Sequence, residues 1–374
     1  MELFRIIFSV VASLVIFALN AYIYHRFLSK LKPLQKYKTV LKWIIIVISI
    51  CQMVYFLTLR SGQMPSLLFA IFSSFIGVTF MLFCVSIIYD MLHIPLNKVP
   101  FDKSRRLMLK MFLDVTMLVL AFSYLTKGFL GGFKKPIVKE QTIAIKGLKK
   151  QLHIAQISDV HIGKSLGKEF LDGIVKQINA LDADLVVITG DLVDLKAEKI
   201  GDKLDSLKSI KSLYGTYFVS GNHEYFHGVE AICSHLESLD VKVLTNENLT
   251  INNQINLVGI TDLVGRRLGF LEPNLKQALR GARSDLPTIL LAHQPKAINE
   301  LKDEDIDLVI SGHTHAGQIF PFGLLVLLDQ PYLSGLYQHS NKTQIYVSSG
   351  VGYWGPPIRV LAPSEIVSIR LISS

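Results

Sequence analysis

Four long apolar segments in the first 135 residues constrain this chain more than any other feature of its sequence. A helix needs about 20 mostly apolar residues to cross a lipid bilayer. Segments of about that length lie at 4–23, 41–59, 65–89 and 107–130. Only 18% of the residues are charged, against about a quarter in soluble proteins, which agrees with membrane content. We therefore predict a multi-pass anchor in the cell membrane over residues 1–135.

The fourth segment is the least apolar, because it carries Lys110, Asp114 and Lys127. Lys110 and Asp114 are four residues apart, so they can pair on one helical face near an end. A functional carboxylate inside the membrane is the alternative interpretation of Asp114. The cost of burying an unpaired charge favours the ion pair.

Charged loops between the segments predict their orientation. Six Lys and Arg residues lie in the first loop or at its end (residues 26–42), one (Arg60) lies in the second, and five lie in the third loop or just after it (residues 98–110). Basic loops stay in the cytoplasm, so four crossings would place both termini and the C-terminal domain outside it. If the fourth segment does not cross, that domain faces the cytoplasm instead.

Charge is divided unevenly along the chain. Residues 1–150 contain 20 Lys and Arg against 5 Asp and Glu, whereas residues 151–374 contain 19 against 25. The basic excess therefore belongs to the apolar segments, and the acidic remainder argues against nucleic acid as a partner. Three cysteines are too few for a disulfide framework or for a zinc site of four thiolates.

Beyond residue 150, short runs rich in Val and Ile alternate with segments of helical pattern. Runs of strand length lie at 152–158, 184–190, 215–221, 255–260, 288–293, 307–312 and 344–350. Helical segments are predicted near 167–180, 200–213, 228–239, 272–281 and 295–302. This alternation is typical of an α/β domain with buried sheets, to which we assign residues 136–374. Ligands of such domains bind at the carboxyl ends of the strands.

Five of the predicted strand ends carry carboxylate, carboxamide or imidazole side chains. Their sequences are Asp159-Val160-His161, Gly190-Asp191-Leu192-Val193-Asp194, Gly221-Asn222-His223-Glu224, Ala292-His293 and Gly312-His313-Thr314-His315. Oxygen and imidazole ligands together suit Mn, Fe or Zn, whereas Mg and Ca favour oxygen alone. A single polar residue after a strand is usually a turn, but five such ends in order indicate a metal centre.

The five motifs, in this order, resemble those of the calcineurin-like metallophosphoesterase superfamily. The tail, at 346–352, Arg359 and 363–365, resembles the bacterial membrane-associated branch, although Ala316 replaces a usual glycine. The resemblance covers about residues 150–374. It implies an α/β fold, a four-layer sandwich of two mixed sheets flanked by helices, here preceded by the four predicted transmembrane helices.

The resemblance also implies a site for two divalent metal ions, with Mn favoured over Fe and Zn. The first metal would be bound by Asp159, His161 and His315, and the second by Asn222, His293 and His313. Asp191 would bridge both metals. His223 would act beside them as the general acid that protonates the leaving oxygen.

Some residues have two interpretations. Arg359 could bind a substrate phosphate, but a surface salt bridge is favoured. Asp194 and Glu224 could orient the metal ligands or be ordinary turn carboxylates. Residues 320–328 are apolar and directly follow a metal-binding motif, where packing beneath the sheet is favoured over a membrane-dipping lid.

Three functions compete. The leading one is a membrane-anchored phosphoesterase that cleaves a phosphate ester or pyrophosphate, with lipid-linked or cell-envelope substrates. An alternative is a phosphomonoesterase or protein phosphatase. The non-enzymatic alternative is a metal-binding interaction module on a membrane scaffold, against which the complete ligand set and His223 argue. A transporter is disfavoured because the apolar segments carry almost no internal charge.

Overall fold

The computed structural model describes residues 2–58, 64–98, 102–302 and 304–374, so Arg60 and the end of the second predicted segment lie outside it. The chain forms two compact units. The helical unit comprises Met1–Phe133 with Gly355–Val360, and the α/β unit comprises Lys134–Trp354 with Leu361–Ser374. A short segment near the C-terminus therefore belongs with the N-terminal helices.

Four long helices build the helical unit. They are α1 (Glu2–Ile23), α2 (Lys38–Thr58), α3 (Ser66–Lys98) and α4 (Lys103–Gly132). Each lies at a predicted apolar segment and is long and apolar enough to cross a membrane. Asp102 caps α4, because its side chain accepts a hydrogen bond from the Arg105 backbone N–H at 2.8 Å.

Buried polar side chains of three helices bond to one another. The Asn20 amide donates to Gln52 Oε1 at 2.7 Å, and the Gln52 amide donates to Thr79 Oγ1 at 2.8 Å. Thr79 Oγ1 then donates to Asn20 Oδ1 at 2.8 Å, which closes a ring of hydrogen bonds across α1, α2 and α3. The ring satisfies polar groups that lipid could not, and it ties the three helices together.

Asp114 has a structural role that differs from the predicted one. Its carboxylate accepts hydrogen bonds from the Tyr89 hydroxyl and from the Lys32 backbone N–H, both at 2.9 Å, rather than pairing with Lys110. The side chain is buried. Helical spacing indicated a partner on the same helix, whereas the real partners come from α3 and from the turn after α1.

Segment Gly355–Val360 packs closely against α4. The Arg359 backbone N–H donates to the Gly128 carbonyl at 2.9 Å. Any side chain at Gly131 would collide with the Arg359 carbonyl, and one at Gly132 would collide with the Pro357 carbonyl. Glycine at the end of α4 therefore makes room for this segment.

Twelve strands and six short helices are described in the α/β unit. The strands are β1 (Ile137–Ile145), β2 (Leu152–Ile157), β3 (Leu185–Thr189), β4 (Thr216–Val219), β5 (Val241–Val243), β6 (Glu247–Ile251), β7 (Ile255–Gly259), β8 (Thr288–Leu291), β9 (Leu308–Ser311), β10 (Gly335–Gln338), β11 (Gln344–Val347) and β12 (Glu365–Ser373). The helices are α5 (Lys168–Asn179), α6 (Asn222–His227), α7 (Val229–Glu237), α8 (Val264–Leu268), α9 (Leu275–Ala278) and α10 (Gly323–Val326).

The strands form two mixed sheets of six. The first has the order β1-β12-β2-β3-β4-β5, and the second has the order β10-β11-β9-β8-β7-β6. Strands β2 to β5 run parallel in the first sheet, and β7, β8, β9 and β11 run parallel in the second. Parallel neighbours end at the same edge of a sheet, so the loops that follow them gather there.

Apolar side chains pack in three layers around the two sheets. Between the sheets, the first contributes Ile154, Leu185, Val187 and Val219, and the second contributes Leu257, Ile289, Leu291 and Ile310. The outer face of the first sheet packs on α5 and α7, for example through Ile188 against Ile174 and Ile232. The predicted four-layer sandwich is therefore confirmed.

The predicted strands are all present, but several elements were missed. Strand β12 inserts between β1 and β2, a pairing that joins residues more than 200 positions apart and leaves no local signal. Two predicted helices are instead 3₁₀ helices, Gly201–Ser209 and Pro295–Glu300. Short helices such as α6 were missed because they form inside the motif loops themselves.

Candidate metal centre

The metal-binding motifs follow the ends of neighbouring strands in both sheets. Asp159 and His161 follow β2, Asp191 follows β3, and Asn222 opens α6 just after β4. In the second sheet His293 follows β8, while His313 and His315 follow β9. Two clusters of these side chains result, each with ligand atoms within 4.8 Å of one another.

The first cluster consists of Asp159, His161 and His315. His161 Nε2 lies 3.0 Å from His315 Nε2, which lies 3.5 Å from Asp159 Oδ1. The two imidazole rings stack with centroids 5.0 Å apart. A proton on His315 can satisfy only one of these acceptor atoms, whereas a cation among them satisfies all three.

The second cluster consists of Asp191, His293 and His313. His293 Nδ1 lies 2.8 Å from the Thr189 carbonyl, which can only accept, so this nitrogen carries the proton. The lone pair of His293 Nε2 is thereby directed at the cluster, 3.3 Å from Asp191 Oδ2 and 3.1 Å from His313 Nδ1. Such a bond from the second ring nitrogen is the usual way a protein orients a metal-binding histidine.

Asn222 supplies a further oxygen. It is the first residue of α6, and its Oδ1 is buried with no hydrogen-bond partner among the described residues. A buried amide oxygen without a partner costs about 1–3 kcal/mol, which a metal ion would recover. The unpaired oxygen therefore fits the predicted role of a metal ligand.

Asp194 holds two imidazole rings at once. Its Oδ1 lies 2.9 Å from His161 Nδ1 and 2.6 Å from His223 Nδ1. Each ring donates its Nδ1 proton to the carboxylate, so each presents Nε2 to the centre. This geometry matches the orienting role that was one of two interpretations of Asp194.

Burial and charge set the protonation of this pair. Burial opposes the charged form of His223, but the carboxylates of Asp191 and Asp194 outweigh it and raise the pKa of His223 to about 10. Burial likewise opposes ionisation of Asp194, yet the charges of His161 and His223 hold its pKa below the usual range. Without metal, the arrangement stabilises an imidazolium beside two carboxylates.

Glu224 supports the backbone rather than the imidazoles. Its buried carboxylate accepts four backbone N–H groups at 2.7–3.2 Å, from Gly221, Asp191, Leu192 and Val193. The side chain thus fixes the turn that carries Asp191 against the start of α6. Sequence proximity suggested an effect on His or Asn, but the bonds go to the neighbouring loop.

The ligand loops have strained backbones. Five of the seven predicted metal ligands have positive φ, between 49° and 70°: Asp159, His161, Asp191, His313 and His315. Non-glycine residues pay about 1–3 kcal/mol for such conformations, which cluster at functional sites. Glycines let the loops meet, since a Cβ at Gly221 would collide with Asp191 and one at Gly312 with Asp159. Motif spacing alone gave no sign of this strain.

Two other predicted features are not members of these clusters. Arg359 belongs to the helical unit, where its side chain is buried, so the favoured surface salt bridge does not describe it. A role for Arg359 in substrate binding stays a prediction. Residues 320–328 do not pack beneath a sheet, because Leu324, Leu325 and Leu328 are 64%, 54% and 83% exposed. The favoured interpretation of that run was wrong.

Comparison with known proteins identifies the family. The model of the calcineurin-like phosphoesterase family matches residues 152–317. A Helicobacter pylori protein named as a metallophosphoesterase is 45% identical over 331 residues, 88% of this chain and 89% of its own length. The chain belongs to the calcineurin-like metallophosphoesterases. A Campylobacter jejuni metallophosphoesterase is 36% identical over 98% of both chains.

A relative in cattle is named as a transmembrane protein with a metallophosphoesterase domain. It is 37% identical and covers 72% of this chain, which spans 64% of that protein. The metallophosphoesterase described here is a phosphoester hydrolase with groups of metal-binding residues and four helices suited to a membrane.

Proposed function

We propose that this metallophosphoesterase is a membrane-anchored enzyme that holds two divalent cations and cleaves a phosphate ester or pyrophosphate on lipid-linked or cell-envelope molecules. The observation that carries the reaction class is the convergence of imidazole nitrogens and carboxylates into two clusters. The buried Asn222 Oδ1, which has no hydrogen-bond partner among the described residues, supports it. The observation that supports the substrate class is the presence of four helices of spanning length in the same chain.

Each cluster would hold one cation. The first would be bound by Asp159, His161 and His315, and the second by Asn222, His293 and His313. Asp191 would bind both cations. Mixed nitrogen and oxygen ligands, without thiolate, suit Mn, Fe or Zn, and we favour Mn.

His223 would act on the leaving group. Bound divalent cations would supply Lewis acidity towards phosphate oxygens and would acidify water. The chain's own contribution is orientation: Asp194 accepts the Nδ1 proton and fixes the ring, so that His223 Nε2 faces the centre, 3.9 Å from Asp191 Oδ2. From this position Nε2 can donate a proton to the departing oxygen.

The reaction class is tested with purified full-length protein in detergent or nanodiscs. A panel of phosphate monoesters, diesters and lipid pyrophosphates is assayed before and after EDTA, and again after Mn²⁺, Fe²⁺, Zn²⁺ or Mg²⁺ is added. We expect chelation to abolish hydrolysis, Mn²⁺ to restore it best and lipid pyrophosphates to be the preferred substrates. Full activity in protein shown to be metal-free would refute the binuclear mechanism, and preference for soluble monoesters would refute the substrate class.

Membrane topology is a separate part of the proposal. We place a four-span anchor at residues 1–135 and the catalytic domain, 136–374, outside the cytoplasm. A membrane-impermeant thiol reagent applied to intact cells should label Ser373→Cys and spare Ser104→Cys, in a background where the three native cysteines are replaced. Labelling at neither position would mean that α4 does not span and that the domain faces the cytoplasm, and the reverse pattern would mean that all four helices cross in the opposite orientation.

A further inference from the structure

An exposed apolar surface follows directly after the turn that carries His313 and His315. Its six side chains are between 40% and 83% exposed: Phe320, Phe322, Leu324, Leu325, Leu327 and Leu328. We call these six side chains the apolar patch. The sequence between Phe320 and Leu328 contains no charged residue. Concentrated exposed apolar surface of this kind marks an interaction site, unlike single exposed leucines elsewhere.

The apolar patch is held in place at both ends. At its start, Gln318 Nε2 donates to the Trp354 carbonyl at 3.1 Å, and Gln318 Oε1 accepts the Trp354 backbone N–H at 2.8 Å. After its end, the buried Gln330 accepts the Lys296 backbone N–H at 3.0 Å and donates to Gln294 at 3.2 Å. The leucines are therefore presented to solvent by an anchored loop.

The anchored loop is continuous with the catalytic centre. His315 lies in the turn that leads into it. Trp354, the hydrogen-bond partner of Gln318, is 56% exposed. The centroid of its ring lies 6.4 Å from that of the His223 ring, in an edge-to-face arrangement. The apolar patch and the proposed general acid, His223, therefore lie along the same edge of the α/β unit, which we call the rim. Tryptophan is favoured where an apolar surface meets water, as at a membrane interface.

We propose that the apolar patch inserts into the acyl-chain boundary of the lipid bilayer. A bilayer is the partner that the chain itself supplies, since four helices of spanning length would keep one at high local concentration. Residues 151–374 contain six more acidic than basic residues, so apolar insertion rather than attraction to anionic lipid would drive the contact. Insertion would bring phosphate groups at the membrane surface to the rim that carries His223. This proposal concerns lipid contact and does not depend on the substrate proposed above.

The test uses tryptophan emission from full-length protein in nanodiscs of plain or brominated phosphatidylcholine. Both native tryptophans are first replaced, by Trp43→Phe and Trp354→Phe, and Leu328→Trp then reports on the apolar patch. The matched control is Leu213→Trp, a leucine that is 71% exposed and precedes β4, away from the strand ends that carry the centre. Retaining Trp43 alone, on α2, calibrates quenching by lipid.

Brominated lipid should remove most of the Leu328→Trp emission and leave the Leu213→Trp emission unchanged. Adding Leu324→Glu and Leu325→Glu should restore the Leu328→Trp emission, because charge opposes insertion. These side chains are exposed, so hydrolysis of a soluble nitrophenyl ester should stay within about twofold of the parent and report an intact fold. Equal quenching at Leu328 and Leu213 would overturn the proposal. The proposal would also be overturned if two copies of the protein associated in one nanodisc and their contact shielded Leu328→Trp from quenching by the brominated lipid.

Discussion

The polar network of Asn20, Gln52 and Thr79 in the helical unit and the metal centre of the α/β unit arrange their buried polar groups in opposite ways. In the helical unit, donors meet acceptors: Asn20, Gln52 and Thr79 close a ring of hydrogen bonds, each bond 2.7–2.8 Å long. In the metal centre, His161 Nε2 and His315 Nε2 lie 3.0 Å apart beside the Asp159 carboxylate, and one proton among them cannot satisfy all three atoms. The first arrangement is complete without a ligand, whereas the second is complete only with a cation or extra protons.

This difference separates structural from catalytic polarity. A closed network stabilises a fold and needs nothing more, so its loss should change stability alone. A network of converging lone pairs costs free energy until a ligand arrives, and the strained backbones of five ligands add to that cost. Changes in the α/β centre should therefore alter metal binding and rate, and changes in the helical network should not.

The largest effect is expected at Asp191. Asp191→Asn removes the charge that we propose is shared by both cations, so metal content and turnover should fall together. Metal content is measured by mass spectrometry of the purified protein, and turnover with a nitrophenyl ester. A fully metal-loaded and active Asp191→Asn protein would show that the proposed bridge is not needed.

Replacing His223 should lower the rate of hydrolysis without removing the metal. His223→Ala should keep its metal and lose about 10²–10⁴ in rate, the usual contribution of a general acid. The loss should shrink for nitrophenyl esters, whose leaving oxygen needs no proton, and be full for alkyl esters. Equal losses for the two leaving groups would remove His223 from the acid role, and loss of metal would make it a ligand.

Replacing Asp194 should have a smaller effect, divided between metal affinity and the rate of hydrolysis. Asp194→Asn keeps an oxygen that can accept from both His161 and His223, but it removes the negative charge that strengthens both bonds. Replacing such an orienting carboxylate typically costs about 10–100-fold in metal affinity or activity. The Mn²⁺ concentration for half-maximal activity and the alkyl-ester rate should both worsen, with partial recovery in Asp194→Glu. No change in either would make Asp194 an ordinary turn carboxylate.

The smallest effect is expected in the helical network. Gln52→Leu breaks the ring of hydrogen bonds and should destabilise the helical unit by about 1–2 kcal/mol at most, with metal content unchanged. Thermal unfolding in nanodiscs measures the loss, and Ser74→Ala, which removes only a bond to Ala70 within α3, is the matched control. A loss of bound metal in Gln52→Leu would contradict the separation between the two units.

In the helical unit, the sequence predicted the positions of the helices but not the partners of their side chains. Apolar length located all four helices, because a bilayer imposes one composition on any helix that crosses it. Partners of individual side chains could not be predicted there: Asp114 pairs with Tyr89 and Lys32, which lie on other elements. Contacts between helices depend on packing that no periodicity records.

In the α/β unit, the order of the motifs at the strand ends predicted which residues would converge. The strain at the ligands and the place of β12 could not be foreseen, because both arise from contacts distant in sequence. The exposure of residues 320–328 could not be predicted from their composition. An apolar run is usually buried, and this one is exposed beside the centre.

A crystal of the protein soaked in Mn²⁺ gives the most direct test of the central claim, through its anomalous scattering. We predict two anomalous peaks per chain, about 3.5–4 Å apart, on either side of the Asp191 carboxylate. One should touch Asp159, His161 and His315, and the other Asn222, His293 and His313. Saturated crystals with a single peak, with none, or with peaks away from these side chains would contradict the account.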